Sequence, residues 1–174
     1  MNGMAGAAAL LLSVGLLCVR RNETAGWLCA LQALVAAAPL GEIAPVIALG
    51  AALLNGVALP LVLVRVGGTA VATARTHPVV SGGVTLALVT VAGAVFARAG
   101  GSGLVAAAVS VTLLGLWLIV VRADALAPAI GLLSAQNGLV LVAGAHPDLS
   151  LPAALAVAVP AVPALVVADR WLRR

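Results

Sequence analysis

The chain reads as an all-α integral membrane bundle of about seven transmembrane helices, N-terminus outside and C-terminus cytoplasmic, forming a single membrane domain over residues 1–174. Three observations predict this. Hydrophobic residues make up 64% of the 174 and charged residues 8%, against about 45–50% and about 25% in a soluble domain, so there is too little charge to cover a water-facing surface. The apolar residues fall into seven runs, each near the roughly 20 residues that span a bilayer. The arginines between those runs fall almost wholly on one side. A pI near 11.1 suggests nucleic-acid binding, but the net charge is only +4. It comes from dispersed arginines that form no basic stripe.

The predicted spans are Gly3–Val19, Thr24–Leu40, Ile43–Val64, Val79–Ala97, Gly103–Val121, Ala125–Ala145 and Leu149–Ala168. Charge, Gly or Pro marks each break: Arg20 to Glu23, Pro39 to Pro45 around Glu42, Arg65 to Pro78, Arg98 to Ser102, Arg122 to Asp124, and His146 to Asp148. The connections are short, so consecutive helices should be antiparallel neighbours. The first span reads as an uncleaved helix. A secretory signal carries its positive charge before the apolar run, and here Arg20 and Arg21 come after it. With seven spans, Arg20, Arg21, Arg65, Arg75, Arg122, Arg170, Arg173 and Arg174 lie on one side and only Arg98 on the other. Fusing the second and third spans would split them six to three. The positive-inside rule therefore favours seven. Trp27, Trp117 and Trp171 fall near cytoplasmic helix ends, where indoles prefer the interface.

No chemistry-bearing constellation stands out. Cys18 and Cys29 sit in apolar runs without a C-x-x-C pattern and read as small buried hydrophobes. His77 and His146 each precede a proline at a span boundary, with too few neighbouring ligands for a metal. Gly101-Ser102-Gly103-Leu104-Val105-Ala106 matches a dinucleotide fingerprint but lacks the βαβ setting, and reads as a loop entering the fifth span. No two glycines are four apart, so there is no G-x-x-x-G motif, and the abundant small residues locate no particular interface. Every Arg, Asp, Glu and His falls in a loop or at a helix end, which leaves no titrating group for a proton relay at mid-membrane. The polar residues inside spans are neutral: Gln32, Asn55, Gln136 and Asn137. They read as interhelical hydrogen-bonding residues or as the lining of a neutral polar path. Pro60, Pro160 and Pro163 lie inside spans, with Pro60 and Pro160 expected to kink the third and seventh.

The sixth span, with the loop and final span after it, carries a resemblance. The stretch from Arg122 through Gly131 and Gln136-Asn137-Gly138 to Pro147-Asp148, together with the final apolar span, resembles the hydrogenase-4 component E family. These are membrane subunits of formate hydrogenlyase-type and related complexes. Gly26 to Gln32 resembles that family's second helix, and Asn55 to Pro60 its third. The last three spans, about residues 103–170, are similar to the K subunit of respiratory complex I and the matching subunit of Mrp-type antiporters. The resemblance implies a place in an ion-conducting membrane arm, beside large antiporter-like subunits and a cytoplasmic redox module. It also implies a bacterial or archaeal cytoplasmic membrane.

Set against the family's pattern, the expected titrating positions are neutral. The acid before Asn-Gly is Gln136, the complex I-like acid falls on Leu133, the lysine before the third-span proline on Asn55, and the acid of the last helix on Val157. The expectation is a mainly structural subunit, with no catalytic residues and no cofactor in this chain. A small standalone carrier or channel, or a subunit of an Mrp-type cation/proton antiporter, is the alternative. A carrier would need a midplane substrate site, usually with broken helices or internal repeats, and the sequence shows no convincing repeat.

Overall fold

In the computed structural model, which describes residues 2–67, 76–98 and 102–145, the chain is all-helical. The elements are α1 (Asn2–Cys18), α2 (Asn22–Gly41), α3 (Pro45–Leu53), a π-helical segment (Leu54–Ala58), α4 (Leu59–Gly67), α5 (Pro78–Arg98), α6 (Gly103–Val121) and α7 (Ala127–Ala145). The first six predicted spans thus appear within a few residues of their expected bounds, the third being α3, the π segment and α4 in succession. The seventh, with Pro160, Pro163, Val157 and Trp171, lies outside the described residues. Five of the helical runs are long and apolar enough to cross a membrane, and Gly3–Cys18 is a shorter apolar helix.

The boundaries arise from local chemistry. Pro45 opens α3 at its first turn, where a missing N–H costs nothing. His77 stands before Pro78, and its Nδ1 accepts from the Val79 N–H at 3.4 Å. Ser102 caps α6, with its Oγ accepting from the Val105 N–H at 3.3 Å. This is the structural use of Ser102, the one polar side chain of that stretch. Where a kink was expected at Pro60, the helix carries a π segment just before it. Pro60 cannot donate to the preceding turn, and its ring crowds the carbonyl four residues back. One extra residue per turn relieves that crowding, and the Leu59 N–H reaches back to the Leu54 carbonyl. Pro39, by contrast, sits inside α2 close to its end.

Helices α1, α2, α7 and α6 form a ring in which each packs on the next, α6 with α7 most intimately. The α3–π–α4 run packs on the flank of α2, and α5 on α6. The pairs α1–α2, α2–α3, α5–α6 and α6–α7 are neighbours, as expected, whereas the third span and α5 do not pack on each other to any extent and α5 rests on α6. Two apolar clusters fill the ring. One, near the α1 N-terminus, joins Ala9, Ala36, Leu40, Ala48, Ala51, Leu104, Val111 and Val140. The other, near the α1–α2 turn, joins Leu16, Ala25, Cys29, Leu59, Leu63, Leu118, Ile130 and Leu133.

The α6–α7 contact is made by backbone. A Cβ on Gly115 would collide with the Ala135 backbone N and lie 2.7 Å from the Gly131 carbonyl. One on Gly131 would collide with the Ile119 side chain and lie 2.6 Å from the Gly115 carbonyl. One on Gly138 would collide with the Thr112 hydroxyl and lie 2.7 Å from the Ala108 carbonyl. The small residues therefore do locate an interface. Its spacing is Ala127, Gly131, Ala135, Gly138 along α7, steps of four and three that hold one helix face.

Two expectations are corrected. Cys29 is buried, but Cys18, the last residue of α1, is exposed. Trp27 is 53% exposed, as an interfacial indole should be, whereas the Trp117 indole Nε1 is buried without a hydrogen-bond partner. Trp117 is half-buried, because it stands on α6 a full turn before the helix end and turns its ring nitrogen into the packing.

Gly138→Ala should lower the unfolding free energy by about 1–3 kcal/mol through overpacking. Gly82→Ala, inside α5 with nothing within 4 Å of its Cβ, should instead raise it by about 0.5–1 kcal/mol through helix propensity. Denaturant titration in lipid–detergent micelles measures both.

Candidate functional site: a neutral polar layer and a buried ion pair

At 1.5 Å per residue, a point ten residues into a 20-residue helix lies about 15 Å from each end. Gln32 stands there in α2, Asn55 in the third span and Asn137 in α7. At that depth lipid offers no hydrogen bonds, so any partner for these amides has to come from protein.

Three helices meet in one chain of hydrogen bonds. The Ser13 Oγ of α1 donates to the Ala9 carbonyl at 2.9 Å, a backbond within its own helix. The Gln32 Nε2 donates to Ser13 Oγ at 2.7 Å and lies 3.4 Å from the Ala9 carbonyl. The Asn137 Nδ2 of α7 donates to Gln32 Oε1 at 3.1 Å and reaches the Cys29 carbonyl at 3.5 Å. The fourth helix of the ring joins through Thr112, whose hydroxyl lies 3.0 Å from the Ala108 carbonyl of α6 and 3.3 Å from the Ala135 carbonyl of α7.

Of the four amides expected to make interhelical hydrogen bonds or to line a polar path, the structure brings Gln32 and Asn137 into contact with each other. Gln136 is buried on α7, but adjacent helical positions point about 100° apart, so it does not share its neighbour's direction. Asn55 is 1% exposed in the π segment, and neither of its amide atoms has a hydrogen-bond partner. Ser13 and Thr112 were not among the residues expected here. A hydroxyl at mid-span, on a helix that neighbours an amide-bearing helix, is the sequence signal that points to them.

The second constellation lies at the α1–α2 and α6–α7 turns. Arg122 was expected in the break between the fifth and sixth spans; it stands there, and it is 4% exposed. Its Nε donates to Asp124 Oδ1 at 2.8 Å and its Nη2 lies 3.3 Å from Asp124 Oδ2. Nη2 also donates to Asn22 Oδ1 at 2.6 Å, and Nη1 reaches the Val19 carbonyl at 3.5 Å. Arg122 stands in extended backbone at the C-cap of α6, which turns its side chain across to the first hairpin. The planar guanidinium can serve a carboxylate, an amide and a carbonyl at once. Asp124 stands two residues on, so the turn carries its own counter-charge.

Among the described residues no three of His, Cys, Asp and Glu gather where they could hold a metal ion, and the hydrogen bonds of the layer join neutral amides, hydroxyls and carbonyls that do not titrate. What the layer can do is fix the register of the helices that share it. Comparison with protein-family models, with curated proteins and with solved structures finds no match for this chain.

Arg122→Leu strands Asp124 and Asn22, and should destabilise by about 3–5 kcal/mol. Arg122→Leu combined with Asp124→Leu should recover part of that loss, read as the coupling in a double-mutant cycle of chemical unfolding. Within the layer, Gln32→Leu should lose about 0.6–2 kcal/mol. Asn55→Leu should be neutral or raise the melting temperature, because it removes a buried amide that no partner satisfies.

Proposed function

We propose that this chain is a non-catalytic membrane-arm subunit of a complex-I-related, hydrogenase-4-like respiratory complex that couples redox chemistry to ion translocation. In this reading it crosses a bacterial or archaeal cytoplasmic membrane seven times, N-terminus outside, beside large antiporter-like subunits. Its own part is structural. The motif resemblance around Arg122, Gln136-Asn137-Gly138 and Pro147-Asp148 suggests the complex. The observation that carries the structural role is the neutral layer, where the Gln32 amide donates to Ser13 and the Asn137 Nδ2 donates to Gln32 at mid-helix depth, so that α1, α2 and α7 are linked by side-chain hydrogen bonds.

Two further features support it. No Asp, Glu, Arg or His lies at mid-depth in a described helix, and a relay needs groups that take up and release protons. Helix α5 has only 6% of its apolar window buried, whereas 78% of the α7 window is buried, and a neighbour in a larger assembly would contact that apolar surface.

Purification in mild detergent tests the assignment. The chain should emerge with several many-spanning subunits and an iron–sulfur or nickel protein, identified by mass spectrometry. A stable isolated monomer or homodimer that transports a solute in liposomes would overturn it. With the complex reconstituted, Gln136→Leu should leave proton translocation within about twofold of wild type, less than about 0.4 kcal/mol of barrier. A loss of tenfold or more would place Gln136 in the path.

A further inference from the structure

A groove of about 470 Å³ runs along the outer surface between α2 and the interrupted third span, lined by Trp27, Ala30, Leu31, Leu34, Gly56, Val57 and Leu61. The α2 residues advance in steps of three, one and three, which lay them on one helix face. Across from them the π segment supplies Gly56, where a Cβ would lie 3.2 Å from the Leu34 side chain. The missing side chain keeps the floor low, and the bulge turns Val57 and Leu61 outward as exposed walls. The volume falls within the range of small-molecule sites, about 300–1,000 Å³.

The ends of the groove differ in chemistry. It begins five residues into α2, about 8 Å from that helix end, and runs about 10 Å toward mid-depth. Toward mid-depth it is wholly aliphatic. At the other end stand Trp27 and, four residues beyond Leu61 on the same face, the exposed Arg65. Exposed Arg20 and Arg21 lie on the adjoining α1–α2 turn, and exposed Glu23 one turn before Trp27. Three cations face one anion there. Guanidinium groups pair well with phosphate oxygens, and an indole prefers the interface between headgroups and chains.

We infer that this groove is a binding site for an anionic glycerophospholipid, with an acyl chain along α2 and the phosphate held at the Arg65 end. The charge excess selects an anionic headgroup over a zwitterionic one, as basic pockets at the cytoplasmic ends of spans do. The direction of the groove, from basic rim to aliphatic mid-depth, matches the polarity of a lipid in one leaflet. The site requires only that α2 and the third span cross a bilayer, and it does not depend on the identity of the surrounding complex.

The test uses the full chain in detergent, titrated with dioleoyl phosphatidylglycerol or dioleoyl phosphatidylcholine and monitored by native mass spectrometry and thermal unfolding. The glycerol lipid should bind at least tenfold more tightly and raise the melting temperature more. Arg65→Gln should reduce that preference several-fold. Val57→Trp, which fills the groove from an exposed position, should abolish high-affinity binding while helicity by circular dichroism is retained. Equal binding of the two lipids would mean ordinary annular contact and overturn the site. A preference that survives Val57→Trp would place the lipid elsewhere. Val57→Cys cross-linking in the intact assembly to another protein, and not to a photoactivatable phosphatidylglycerol, would make the groove a protein interface and overturn the lipid site. A chain that purifies alone yet keeps the preference would sink the complex reading and leave the lipid site standing.

Discussion

The contact on which the other features depend is the near-touching of the α6 and α7 backbones at Gly115, Gly131 and Gly138. Lipid tails are as apolar as leucine, so helices in a bilayer gain little by hiding apolar side chains from their surroundings. Close van der Waals contact and interhelical hydrogen bonds must supply the association. Three absent side chains let the helices meet near enough for the Thr112 hydroxyl to reach the Ala135 carbonyl across the interface. They also leave the opposite side of α7 to present Asn137 to α2. At the end of the same pair, the α6–α7 turn is short enough for Arg122 and Asp124 to face the first hairpin together.

The neutral layer and the buried ion pair divide the work of fixing register. Sliding α2 along α7 by a single turn would separate Gln32 from Asn137 and leave amides in hydrocarbon without partners. The Ser13 bond restrains α1 in the same way. The ion pair lies at the helix ends, where a charge costs less than at mid-depth. It ties the two hairpins at a point where side-chain stacking alone would be loose. Neutral amides at mid-depth and a charge confined to the turn is the arrangement that desolvation favours for a bundle held by polar contacts.

The helix bounds were legible in the sequence because their causes are local. Apolar length, the prolines at 45 and 78, and the serine at 102 each act within a turn or two. The polar layer was half legible. Gln32 and Asn137 are conspicuous in apolar runs, but which amides meet depends on helix rotation, and that is set by the glycine contacts. Those glycines show no strict spacing of four, because an antiparallel face advances by fours and threes. The burial of Arg122 was not legible for a related reason. Composition places an arginine between two spans at a surface, and only the fold shows that the first hairpin comes back over it. The π segment is a consequence of Pro60, yet a proline specifies strain, and the neighbours determine whether it is relieved by a bend or by an added residue per turn.

The burial of the helices is graded, from α7 through α2 and α6 to the third span and finally α5. The grading tracks the polar inventory. Helix α7 carries Ser134, Gln136 and Asn137, all buried, and it must be central because each such group exposed to lipid is costly. Helix α5 carries Ser81, Thr85 and Thr90 as its polar side chains short of Arg98. A serine or threonine hydroxyl can bond back to its own helix, so α5 needs no neighbour to satisfy it and can stand at the edge on α6 alone. The centre of the bundle thus follows from two causes together, the amide contact between Gln32 and Asn137 that ties α2 to α7 and the close backbone packing of α6 on α7 at Gly115, Gly131 and Gly138.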